Sequence, residues 1–205
     1  MSFNAYRATA FSHTHENKAF DKLYDLLKSQ WAERDEPLHL LGNFYVDGGE
    51  IDALVIKRNA IIVIDFKDYG GVLKFSENGR WRIDGHEVRG GNKTNPFQQI
   101  RDNKYLLLNY LKICDFRSNP NLGHIAGLCL FHQPIEFDEN QLPHNVSRWF
   151  HIAEMNKSVR MLDAIVSSET NLSDTDFDML LAKLDVPEYF PDGHATETPF
   201  DVIES

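Results

Sequence analysis

Two apolar runs, Gly49–Lys57 and Ala60–Lys67, carry Glu50, Asp52, Asp65 and Lys67 among residues otherwise suited to burial. An ionised side chain in such a run costs free energy unless it is paired or holds a metal ion. These residues therefore mark a candidate site. Successive side chains of a strand point to opposite faces, so Glu50 and Asp52 are expected on one face with Leu54 and Ile56. By the same alternation Asp65 and Lys67 fall on one face with Ile61 and Val63. A tight turn around Asn59 pairs the runs antiparallel and brings Asp52 and Asp65 together at one end of the sheet.

Two carboxylates so placed repel, and each raises the other's pKa unless a cation lies between them. Magnesium or manganese suits the position, because hard divalent ions take oxygen ligands and keep several waters. Asp52, Asp65, the backbone carbonyl of Phe66 and water make a sufficient shell. Lys67, on the same face as Asp65, points toward the attacking water and a scissile phosphate, where its charge stabilises a developing phosphoryl anion. The alternative for Asp65 and Lys67 is a structural ion pair.

These groups need elements to hold them. From Thr14 to Trp31 the residues Phe20, Leu23, Leu27 and Trp31 recur at helical spacing, with Ser12 or Thr14 as N-cap. Glu16 lies at the head of this buried stripe, away from Lys18, Lys22 and Asp25. It is either a further metal ligand, direct or through water, or a solvated acid at a helix start. Leu38 to Val46 reads as a strand preceding the acidic pair. Gly70 to Glu87 reads as a hairpin with turns at Glu77-Asn78-Gly79 and Asp84-Gly85. Pro96 opens a helix to about Cys114 that buries Phe97, Ile100, Leu107 and Leu111. Strands at Ile125 to Phe131 and Trp149 to Ala153 follow, then helices at Lys157 to Ser167 and, capped by Ser173, at Asp174 to Leu184.

The order of these features resembles the nuclease-related domain (NERD) branch of the PD-(D/E)xK nuclease superfamily. The resemblance rests on a helix opening with Glu16, the Gly49-to-Asp52 strand, and the Asp65-x-Lys67 strand running on through Tyr69 to Gly71. It continues through a hairpin with Trp81 and an Asn95-Pro96-x-x-Gln99 helix start, over about residues 12 to 155. It implies an α/β fold with a restriction-endonuclease-like core, a mixed central sheet flanked by helices, and a small inserted hairpin. It implies a magnesium- or manganese-dependent nuclease that cuts DNA, less readily RNA, with Glu16, Asp52, Asp65, Lys67 and Gln99 catalytic and the metal on Asp52, Asp65, Phe66 and Glu16. Gln99 would order the phosphate or the metal's water, or else serve as a capping or core amide. Relatives joined to helicase or kinase domains imply a fused or associated partner. The competing class is a nucleic-acid-binding or interaction module that keeps the fold with little turnover.

Composition fits one cytoplasmic globular domain over residues 1–186 and an acidic tail or linker over 187–205. Among 205 residues, 42% are hydrophobic and 25% charged, with no long apolar run. Cys114 and Cys129 read as reduced, buried thiols. A net charge of −10 denies the chain a broad basic footprint, so the domain is expected to bind nucleic acid weakly alone or to rely on a local patch or another domain. The cations near the Asn95-Pro96 turn, Arg89, Lys93, Arg101 and Lys104, are candidates for that patch or a solvated face. His13 and His15 lack helical ligand spacing and read as capping or solvated residues.

Overall fold

The β-branched and leucine-rich runs form adjacent strands in the computed structural model, which describes residues 2–191. The chain opens with β1 (Phe3–Arg7) and α1 (Thr14–Trp31), followed by β2 (Leu38–Val46), β3 (Gly49–Lys57) and β4 (Ala60–Lys67). A small module holds β5 (Gly71–Lys74), β6 (Trp81–Ile83) and β7 (His86–Val88) before α2 (Pro96–Leu111). Then come β8 (Ala126–Phe131), β9 (Ile135–Glu136), α3 (His144–Ser147), β10 (Phe150–Glu154), α4 (Ser158–Ala164) and α5 (Asp174–Leu184).

The main sheet runs β1-β2-β3-β4-β8-β10. Its middle is antiparallel, joined by two-residue turns, whereas β4, β8 and β10 are parallel, as are β1 and β2. A parallel partner cannot be reached by a hairpin, so the chain crosses from β4 to β8 through the small module and α2. Alternation sends Leu38, Leu40, Ala53, Val55, Ile62 and Ile64 to the cluster under α1. Leu41, Leu54, Ile56, Ile61 and Val63 face the cluster under α2 and α5. The protein is thus mixed α/β, with a mixed sheet flanked by helices. Among the described residues no helix is long and apolar enough to cross a membrane.

Asn43 alters one expectation. Its φ of 45° is left-handed, and beyond it the alternation shifts, so that Phe44, Val46 and Ile51 join Leu54 in the cluster under α2. Glu50, beside Ile51, therefore turns away from the face of Leu54 and lies exposed opposite Tyr45. The Asn43 amide donates to the carbonyls of Thr9 and Ala10 at 3.2 and 2.9 Å, which ties the entrance of α1 to the sheet.

The start of α1 also differs: His13 occupies the N-cap and makes no side-chain cap, so neither Ser12 nor Thr14 fills that role. The loop is held instead by Asn17, whose amide oxygen accepts from Phe11 N–H at 3.0 Å and whose nitrogen donates to the Phe11 carbonyl at 2.8 Å. The helix expected from Lys157 to Ser167 is shorter because its last residues turn back to the β3–β4 turn, with Ser167 N–H donating to the Asn59 carbonyl at 2.8 Å. α5 has the expected Ser173 cap, with a reciprocal Asp176 carboxylate. The first residues of the expected tail run along β1, where Tyr189 N–H donates to the Ala5 carbonyl at 2.8 Å. The rest of that tail, from 192, lies outside the described residues.

The inserted hairpin is larger than a single turn of strand. β7-β6-β5-β9 form a second sheet, with the Asp84-Gly85 turn left-handed at both residues. Asn95 joins this sheet to α2: its side chain accepts from Gln98 N–H at 2.9 Å and donates to the carbonyls of Ser76 and Gly79 at 3.1 and 2.7 Å. Asn95 is wholly buried. Asn95→Ala is therefore expected to lower stability by about 2 kcal/mol, since it strips a helix cap and takes from the Gly79 carbonyl its donor, while Ser76 keeps the Trp81 indole N–H. Urea unfolding checks this, and an unchanged midpoint would make the clamp energetically idle.

Candidate metal-binding and catalytic site

The antiparallel register puts the acidic residues side by side. Ala53 pairs with Ile64, the last ladder pair before the sheet edge opens, and Asp52 and Asp65 follow at the next position. There Asp52 replaces a strand partner with its side chain, and its Oδ2 accepts from Phe66 N–H at 2.9 Å. On the opposite side β4 continues beside β8, where Lys67 carbonyl accepts from His132 N–H at 2.8 Å. Because N–H and C=O of one extended residue point to the same side, the Phe66 carbonyl is directed to the edge where Asp52 stands.

Asp65 is 1% exposed, and its Oδ1 has no hydrogen-bond partner among the protein groups described. Its Oδ2 lies 2.7 Å from Lys67 Nζ. A buried carboxylate with one oxygen unpartnered is costly, and a hard cation is the species that such an oxygen fits. Asp52 and the edge-facing Phe66 carbonyl supply the further oxygen donors such an ion prefers. Among the described residues no three His, Cys, Asp or Glu side chains gather into a ready ligand group. The fitting shell is accordingly two carboxylates, a backbone oxygen and water, and Glu16 does not close it as a third side chain.

Charge follows from this packing. Burial and the neighbouring Asp65 hold the Asp52 carboxyl well above the usual carboxylate range, although Lys67 and the Phe66 N–H pull the other way. Burial would depress the Lys67 ammonium, but the Asp65 and Asp52 carboxylates outweigh it and hold the pKa above its ordinary value. Burial also raises Glu16, where His13 and His15 oppose the shift and Glu50 adds to it. Glu16 adds a small upward push on Asp52, and Lys67 pulls Glu16 down, which places the head of α1 within electrostatic reach of the strands. His13 and His15 stack with ring centroids 5.5 Å apart beside Glu16, as flanking groups.

Gln99, in the first turn of α2, has Oε1 3.4 Å from Lys67 Nζ. That is a long contact, but it brings the helix start to the site. Two neighbours carried no legible signal of membership. Cys129 pairs with Asp65 in the β4–β8 register, and burial beside that carboxylate pushes its thiol up, making it inert floor. Asn43, on β2, falls between Gly42 and Phe44, whose β3 partners Ala53 and Ile51 flank Asp52, and it fixes the loop leading to Glu16. Of the nearby cations, Lys93 pairs with Asp102 at 2.7 Å, and Lys104 is buried elsewhere. Arg89 is exposed.

The sequence model of the nuclease-related domain family matches residues 13–132, from the N-cap of α1 to just past β8. Comparison with curated proteins gives no match, and comparison with solved structures gives none.

Proposed function

The chain belongs to the nuclease-related domain family, and from that premise we propose that it is a metal-dependent nuclease with a PD-(D/E)xK core that hydrolyses DNA phosphodiester bonds. The observation that carries the reading is the buried Asp65 carboxylate, one oxygen unpartnered and the other 2.7 Å from Lys67 Nζ, beside Asp52. A structural ion pair would account for Lys67 and Asp65 but not for the second carboxylate, Asp52, at the same strand end.

Asp52, Asp65 and the Phe66 carbonyl would hold a magnesium or manganese ion. When bound, that ion supplies an acidified water and positive charge for the phosphoryl oxygens. Lys67 stabilises the negative charge that grows on the phosphoryl group and leaves Asp65 free to bind the cation through its other oxygen. Gln99 holds the Lys67 ammonium in position and orients the substrate phosphate. Glu16 acts through a water, and its raised pKa lets it exchange a proton closer to neutrality than an exposed glutamate does.

The test is incubation of the purified chain with single-stranded, linear duplex and closed circular DNA, with magnesium, with manganese and with chelator. Metal-dependent cutting that chelator abolishes is the expected result, and nicking of closed circles would assign endonuclease action. Binding of nucleic acid without turnover on any substrate would replace the enzyme by a binding module.

A further inference from the structure

At the strand ends farthest from Asp65 the surface is concave. Its floor includes Ala60, which begins β4, and Ala126, which begins β8. Asp65 lies five residues along β4 from Ala60, about 17 Å at a strand's rise per residue. The cavity measures about 700 Å³, within the range that accepts a small organic ligand.

Its walls concentrate positive charge in an acidic chain. Lys104, on α2, is 5% exposed. Its ammonium has one polar contact, the Gly123 carbonyl at 2.8 Å, and lies 4.7 Å from the Trp149 ring centre. No carboxylate pairs with it among the described residues. Burial pulls its pKa down to about 8, because one carbonyl and a ring face replace only part of the hydration that the ammonium gives up. Arg148 stands exposed on the rim, and His124 and His151 also line the space. Glu169 is the one acid in the lining, and it is already engaged: it accepts from Asn121 Nδ2 at 2.6 Å and lies 3.7 Å from His124 Nε2. An ammonium and a guanidinium lining one concave space are donors of the kind that phosphate oxygens accept from.

We propose that this pocket binds the phosphoryl group of a small phosphate monoester of about mononucleotide size. Lys104 and Arg148 hold the phosphate, and the remaining volume holds the group that carries it. The assignment is independent of the metal-centred reading, because no residue is shared between the two sites.

Titration calorimetry of the full chain in chelator, with 5′-AMP, inorganic phosphate and adenosine as probes, tests it. AMP is expected to bind with Kd below about 1 mM, phosphate more weakly and in competition with AMP, and adenosine not at all. Arg148→Ala, on the exposed rim, leaves folding untouched and should weaken AMP by about tenfold or more, as should Lys104→Met, which keeps the stem and removes the charge. Asp65→Asn should leave AMP binding unchanged. The site is overturned if AMP gives no saturable heat, if both variants bind it as wild type does, or if only Asp65→Asn abolishes binding. Phosphate binding without AMP binding would overturn the mononucleotide size.

Discussion

Lys67→Met is expected to cut DNA hydrolysis by about a hundredfold or more while nucleic-acid affinity stays within about tenfold, the scale for losing a positioned transition-state donor. Lys67 Nζ sits 2.7 Å from Asp65 Oδ2, on the face that also carries Asp52. On the proposed reading its charge would act where phosphoryl charge grows and would contribute little to binding a ground-state backbone, which has phosphates everywhere along it. Methionine keeps most of the stem volume, so the change is mainly electrical. Removing the ammonium leaves Asp65 buried without a partner, and the metal-free variant should unfold at a lower temperature than wild type. Added magnesium should recover part of that loss, since a cation compensates the same carboxylate. Single-turnover rates, affinity in chelator and melting curves separate these effects. Wild-type hydrolysis in the variant would make Lys67 a structural partner of Asp65 and move the activity elsewhere.

The strands that carry Asp52, Asp65 and Lys67 were legible because period-two alternation over long apolar runs has few alternative readings, and the two-residue turn at Arg58 and Asn59 fixes their register. Likewise α1 and α2 declared their buried stripes through Phe20, Leu23 and Leu27 and through Phe97, Ile100 and Leu107. β1 was not legible: in Phe3–Arg7 only Phe3 and Ala5 are buried, and the strand exists because β2 offers it a parallel edge, which is information from 35 residues downstream. The shift at Asn43 was equally hidden. A left-handed residue inside a strand is selected by the tertiary bonds that its amide makes to Thr9 and Ala10, and no local pattern announces it. The Asn95-Pro96 start read correctly as a helix boundary, but the larger task of Asn95, bonding the second sheet's loop carbonyls, depends on residues nearly 20 positions away. Site membership followed the same division. Asp52, Asp65 and Lys67 lie together at one strand end as alternation and register predict, whereas Cys129 comes beside Asp65 through a parallel pairing that sequence does not specify.

Asp52→Asn should move stability in opposite directions with and without metal. A carboxyl whose pKa is higher folded than unfolded binds more protons in the folded state between those two values, so stability falls as pH rises through that window. Asp52 is such a group, raised by burial and by Asp65. Metal-free wild type is therefore expected to lose stability from about pH 4, the ordinary aspartate range, toward neutral pH. Asparagine carries no charge, and its amide oxygen can still accept the Phe66 N–H. In chelator at pH 7 the variant should melt above wild type, with the difference shrinking as pH falls toward 4. Magnesium reverses the order. An ion that binds only the folded state stabilises by about 2.7 kcal/mol at a hundred times its Kd, a rise of about 5 to 10 °C in Tm for a chain of this length. The variant, lacking one of two carboxylate ligands, should gain almost none of it. Melting curves at two pH values, with and without metal, read both halves without any activity assay. An equal magnesium increment in wild type and Asp52→Asn would place the cation away from this strand end, while a variant less stable than wild type in chelator would mean that Asp52 is compensated in the folded protein by groups other than a metal.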